Sequence, residues 1–339
     1  MKDENEKNGP GGPGEPGMAS IHGVGFNQRE VNVSVPNTQN EFSVKGYTVS
    51  NIANILTAAE NNISYDNSDL YIGEVWNGFR HGVGKYEYGE NDNSYFGEWT
   101  LGKRNGLGVF IWDNVERYEG EWVFGCMQGK GKYYFSNGDF FEGEWLNDLK
   151  QGIGEYHYKE TGGRYKGEWM NDKRNGNGTF WWKSGEYYDG AWAEGKMNGY
   201  GDYYFIEGDV YNGYWINDQR NGKGTFKWIN GDVYEGSWVE SLMCGFGVYK
   251  YSLGETYEGN WMEDKRNGFG IYKFNNGDRY EGSWIDNKRT GKGKYFYENG
   301  DIYEGEYLDG AFHGYGIYTF SDGKVDEGLW EEGELVNPI

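Results

Sequence analysis

A glycine followed two or three residues later by tryptophan, or once by tyrosine, returns twelve times along this chain, at steps of 23 or 24 residues from Gly73 to Gly328. Self-similarity at such a period marks an array of small identical modules and outranks any local reading. Trp99, Trp122, Trp145, Trp169, Trp192, Trp215, Trp238, Trp261 and Trp284 fill the second slot, with Trp76 one residue late, Tyr307 as the substitute and Trp330 in the last copy. Nine residues after each glycine except the last stands a Gly-x-Gly pair, as in Gly82-Val83-Gly84 and Gly129-Lys130-Gly131. Turns such as Asn137-Gly138-Asp139, Asn230-Gly231-Asp232, Asn276-Gly277-Asp278 and Asn299-Gly300-Asp301 close the repeats. Asn-Gly between alternating aromatic runs is a strong hairpin signal.

One repeat read with period two puts Tyr118, Gly120 and Trp122 on one face and Glu119 and Glu121 on the other. The returning strand puts Gly129, Gly131, Tyr133 and Phe135 on the first face and Lys130, Lys132 and Tyr134 on the second. Strands alternate this way. Glycines on the aromatic face leave room for a neighbouring ring to lie on bare backbone, so the rings stack from repeat to repeat. Composition agrees: 59 glycines rise together with 19% aromatics, whereas disordered chains are poor in aromatics and helices pay about 1 kcal/mol per glycine.

The fold class expected is all-β: an elongated, single-layer, twisted antiparallel meander of hairpins with a mostly irregular N-terminal extension. Two strands per repeat at about 4.8 Å make eleven repeats a plate of roughly 100 Å. Stability accumulates between neighbours, because a lone hairpin is marginal. The expected organisation is a disordered tail over 1–17, an extension and cap over 18–64 with a short helix near Val49–Glu60, the array over 65–332, and a tail over 333–339. The two 24-residue steps place their extra residue in turns near Asn91 and Thr161.

Tyr118-Glu119-Gly120-Glu121-Trp122 and Asn267-Gly268-Phe269-Gly270 resemble the repeats of the MORN family, and the resemblance covers about residues 71–332. It implies scaffolding roles in cytoskeletal or ciliary assemblies and, in some members, membrane junctions or lipid contact. Members that consist of the array are similar to radial-spoke-head proteins of the axoneme and to protist cytoskeletal organisers. No kinase, methyltransferase or anchor region accompanies the array here. The resemblance therefore implies a non-enzymatic docking scaffold, cytoplasmic and cytoskeletal, with the cilium or axoneme as its setting and other proteins, or a second copy, as partners.

The residues carry no enzyme motif: there is no P-loop, no Gly-x-Ser-x-Gly and no His-Glu-x-x-His, and a Gly-x-Gly repeated for packing is no dinucleotide signature. Cys126 and Cys244 stand alone, the four histidines are scattered, and neither a cofactor nor a metal is expected. A formal net charge of −22 works against nucleic acid, which needs an excess of Lys and Arg.

Two surfaces are candidates for binding. Two residues before the Gly-x-Gly pairs stand Arg80, Arg104, Lys150, Arg174, Arg220, Arg266 and Arg289, with Met127, Met197, Met243 and Phe312 in the other repeats. In register, the seven cations form a ridge, either for anions such as phosphoinositide head groups or paired with nearby glutamates as a stripe of weak exposed ion pairs. The other candidate follows a drift on the outward face. Glu74, Glu98, Glu121, Glu144 and Glu168 give way to Ala191, Tyr214, Ser237, Asn260 and Ser283, while Phe246 with Val248, Phe269 with Ile271 and Tyr315 with Ile317 turn outward. Leu107 with Val109 is an earlier exception. Apolar side chains on a single layer either meet a partner or cover a local segment such as Leu335–Ile339.

Overall fold

The computed structural model describes residues 62–339. The tail, the short helix and most of the extension expected before the array lie outside them. Among the described residues there are 25 strands and no helix, so the chain is all-β. It forms two compact bodies, the first ending at Lys183 and the second running from Ser184 to Ile339. Each is a single-layer antiparallel meander in which a strand pairs with the strands before and after it in sequence. Examples are Glu116–Val123 with Cys126–Tyr134 in the first body and Val233–Val239 with Leu242–Lys250 in the second.

Simple alternation is interrupted once per repeat. Gly120 faces Gly131 and Trp122 faces Met127, so three residues, Gln128–Lys130, stand opposite Glu121 alone. This bulge turns Gly129 to φ +67°, a left-handed conformation that glycine adopts without penalty. Because it adds two residues, Met127 and its equivalents keep the parity of Gly131 and stay on the aromatic face.

The two sheet edges use different turns. At the tryptophan edge two residues close the hairpin, both with positive φ, as at Asn147 (49°) and Asp148 (67°), which is the type I′ geometry that fits strand twist. At the other edge the Asn-Gly-Asp loops are not type I′. Only the glycine is left-handed, as at Gly138 (85°), and Asn137 Oδ1 accepts the Asp139 N–H at 2.9 Å. The extra residues of the longer steps fall in this second kind of loop: Phe135 N–H bonds Asp139 in an ordinary repeat, whereas Tyr158 N–H reaches Gly163.

The core is one face of the sheet. Tyr118 is fully buried and lies on bare backbone: a Cβ at Gly131 would stand 2.2 Å from its hydroxyl oxygen. That hydroxyl donates to the Glu121 carbonyl at 3.1 Å. Trp122 meets Tyr118 edge-on at 5.1 Å, Trp145 meets the other side of the same ring at 5.4 Å, and the Trp145 indole N–H donates back to Gly131 O at 3.2 Å. Edge-to-face pairs contribute about 0.5–1.5 kcal/mol each beyond burial, and this ladder repeats within both bodies, as at Tyr211 between Trp215 and Trp238. Burial pushes the Tyr303 phenol up to about 12, so these hydroxyls stay protonated donors.

The ends depart from the array. In the first repeat Val75 takes the tryptophan register opposite Arg80, leaving Trp76 54% exposed. Residues Glu334–Pro338, expected as a tail, pair as a closing strand with Val325–Glu331.

Candidate interaction surface

The structure places the seven cations on the core side of the sheet. They share the two-residue parity of the glycine pair and the core rings, and Arg104, Lys150 and Arg174 are buried. Arg104 donates from Nη2 to the Gly125 carbonyl at 2.7 Å, in the turn one repeat on, and its guanidinium lies 4.5 Å over the Trp122 ring. Arg80, Arg220, Arg266 and Arg289 repeat the carbonyl bond to Gly102, Ser241, Asn287 and Gly310. The exposed ridge and the stripe of glutamate pairs are both replaced by a core-side clamp between neighbouring repeats, buried at Arg104, Lys150 and Arg174 and half-buried at Arg80, Arg220, Arg266 and Arg289. Two-residue alternation already gives Arg104 the face of Gly106, Gly108 and Phe110; reading the row as an exposed ridge overlooked that parity.

The outward glutamates of the first body have a structural task that the sequence reading did not see. Four of the five fold over the bulge and accept a backbone N–H: Glu74 from Val83 (3.0 Å), Glu98 from Leu107 (2.9 Å), Glu121 from Lys130 (3.2 Å) and Glu168 from Asn177 (2.8 Å). The second body has no carboxylate at Ala191, Tyr214, Ser237, Asn260 or Ser283, and there the bulge residue is often aromatic.

Phe246, Val248, Phe269 and Ile271 come together on this outer face. Phe246 and Phe269 are 51% and 58% exposed, and they pair across the strands with the small Asn260 and Ser283. Val248 and Ile271 are half-buried between glutamates, Val248 between Glu235 and Glu258 and Ile271 between Glu258 and Glu281. Tyr315 and Ile317 belong to the same rows but stand apart, separated by Lys292 opposite Glu306 and by the Lys294–Glu304 ion pair at 2.9 Å. Tyr315 is tied to Glu327. A row the sequence reading missed borders the phenylalanines: Val239, Met262 and Ile285, each about half exposed. Their signal was present, since an apolar residue follows most of the array tryptophans. Tyr200 and Tyr214, edge-on at 5.5 Å, continue the aromatic row toward the start of the second body. The Leu335–Ile339 segment does not cover this face, because it extends the sheet beside Trp330.

Among the described residues the histidines form no catalytic arrangement. His157 stacks on Phe140 at 4.2 Å and meets Glu155 at 2.8 Å, beside an open hollow of about 360 Å³ lined by Phe140, His157, Arg164 and Trp181. Among the described residues no cluster of His, Cys, Asp or Glu is placed to hold a metal, and no helix is long and apolar enough to cross a membrane.

A meander of β-hairpins sealed on one face and open on the other defines an interaction-type repeat array. The chain belongs to the MORN repeat family, whose model matches eleven consecutive copies, the first over 71–92 and the last over 303–325. No curated protein matches the chain. Among solved structures it is similar to the TCP domain of Drosophila melanogaster SAS-4 (dCPAP) in complex with a proline-rich motif of Ana2 (dSTIL), at 14% identity, covering 46% of this chain and 85% of that one, with a TM-score of 0.30. It is also similar to the wild-type TCP10 domain of Danio rerio CPAP, at 12% identity, covering 68% and 96%, with a TM-score of 0.25.

Proposed function

We propose that this chain is a non-enzymatic scaffold of a cytoskeletal assembly, with a radial-spoke-like place in the axoneme as its particular setting. The observation that carries the scaffold reading is the division of labour between the two faces. One is filled by its own rings and clamped cations; the other is open and patterned differently in the two bodies. Family membership supports the interaction role, and the axonemal setting follows the likeness of array proteins to radial-spoke heads. A phosphoinositide module would need free cations, and this row is spent on carbonyls and rings.

The test is detergent extraction of ciliated cells expressing the tagged full chain. Retention with the axoneme, released by high salt, is expected. Complete release into the detergent-soluble fraction overturns the cytoskeletal reading, and co-sedimentation with phosphoinositide vesicles at physiological salt restores the lipid alternative.

A further inference from the structure

We propose that the outer face between Val233 and Ile285 docks one amphipathic α-helix of a partner protein, with an apolar seam repeating every seven residues and a basic flank on one side. The inference deepens the scaffold reading and rests on it.

Spacing comes first. Along the row Ser237, Phe246, Asn260, Phe269 and Ser283 the large and small side chains alternate, so the two phenylalanines stand two strands apart. That is about 10 Å, and seven residues of helix rise about 10.5 Å. A helix laid across the strands thus sets one side chain per heptad into each gap left by Ser237, Asn260 and Ser283. Beside this row Val239, Met262 and Ile285 extend the exposed apolar strip, which gives the seam a second line of contact. Lys265 and Lys288 stand across the hairpins from Met262 and Ile285, held by Asp286 and Asp309, and bound the strip on that side. Exposed apolar side chains grouped in this way on a single layer mark an interaction site.

Charge then fixes the partner. On the other side of the phenylalanines run Glu235, Glu258 and Glu281. Arg279 occupies Glu281 at 3.2 Å, whereas Glu235 and Glu258 have no ion-pair partner among the described residues. Lysines or arginines on that flank of the helix answer them. One row further out stand Lys250 and Lys273, so basic residues that overshoot meet like charge, and the helix is accepted in one rotation about its axis. A second copy is a poorer occupant, because each chain carries a formal net charge of −22 and would bring glutamates against glutamates.

The probe is a synthetic helix of about 21 residues with a Leu/Phe heptad seam and Lys/Arg on one flank, titrated into the full chain by fluorescence anisotropy at physiological salt. Two further peptides carry Glu on the flank or a scrambled seam. The basic peptide is expected to bind, the other two to bind at least about tenfold more weakly, and Phe246→Glu with Phe269→Glu to remove the difference while circular dichroism stays unchanged. Glu235→Lys with Glu258→Lys shifts preference to the Glu-flanked peptide, and this pair decides the matter if the phenylalanine pair fails to fold. Equal binding of all three peptides, or binding indifferent to both pairs of substitutions, overturns the proposal. So does a dimer seen by light scattering and dissolved by Phe246→Glu with Phe269→Glu, which assigns the strip to a second copy. Axonemal retention without peptide binding removes this inference alone; peptide binding without retention removes the cytoskeletal reading alone.

Discussion

Arg220 donates from Nη2 to the carbonyl of Ser241 at 2.8 Å, one repeat further on, while its guanidinium lies 4.5 Å over the ring of Trp238. Where methionine holds the same position, the following turn changes with it. Met127, Met197 and Met243 each donate their backbone N–H, at 2.7 Å, to the carboxylates of Asp148, Asp218 and Asp264. Arginine thus goes with Gly, Ser or Asn in the next turn, and methionine with Asp. Lys150 with Asp172 is a mixed case.

This pairing predicts a rescue. Arg220→Met alone loses the carbonyl bond and the stacked cation, about 1–2 kcal/mol in chemical denaturation. Adding Ser241→Asp recovers part of it, because the residue-220 N–H, bonded to Ser241 Oγ at 3.2 Å, then meets a carboxylate, as the Met127 N–H does at 2.7 Å. A double variant no more stable than the single one would show the correlation to be incidental.

Gly131→Ala is expected to cost about 3 kcal/mol, because its Cβ would stand 2.2 Å from the Tyr118 hydroxyl oxygen and the buried ring has nowhere to move. Gly195→Ala is the contrast: nothing lies within 4 Å of the added Cβ, but φ is +83°, so conformational strain of about 1 kcal/mol remains. Equal losses would mean that the ring does not bear on Gly131.

Trp192 is 4% exposed, and Trp192→Ala should destabilise the second body by about 3–5 kcal/mol. Trp181 sits on the outer face with the Arg164 guanidinium 4.1 Å over its ring, and Trp181→Ala should cost clearly less. Thermal and urea unfolding of the two variants compare them directly.

Acid sensitivity follows from the Asn-Gly-Asp loops. Burial tends to raise the Asp232 carboxyl, but bonds from the Ser252 N–H and the Tyr249 hydroxyl outweigh it. Burial likewise opposes, and the Tyr295 hydroxyl and Glu298 N–H outweigh it, at Asp278. Both stay below the usual carboxylate range. A group whose folded value is depressed stabilises above its unfolded value, about 3.9 for Asp, and that contribution is lost as pH falls through the folded value. The urea midpoint should therefore drop below about pH 4, and Asp232→Asn with Asp278→Asn should flatten that drop. An unchanged slope in the variant would remove these loops as its source.

Much of this was legible because glycine, tryptophan and tyrosine recur at one period. The strand pairing, the aromatic core and the turn positions all follow from that. The bulge was not legible: it depends on Gly129 taking a left-handed φ, and Gly-x-Gly reads the same in a straight strand. Glu98 accordingly moved from a solvated row to a backbone cap, whereas the core-side place of Arg104 was legible from its even spacing to Gly108 and Phe110. Phe246 and Phe269 could be placed outward, but their alternation with Asn260 and Ser283 depends on cross-strand register. Trp76 was counted with the core rings, although Val75 keeps the register.

Because each strand pairs only with its neighbours in sequence, tension along the stacking direction of either body loads hydrogen bonds one ladder at a time. Such a sheet yields by peeling and not by shearing. Each hairpin that lets go releases 23 residues, roughly 70 Å of slack once its folded width is subtracted. The bodies would then lengthen under load in equal quanta, a fuse that gives way repeat by repeat and resets when the pull is relaxed.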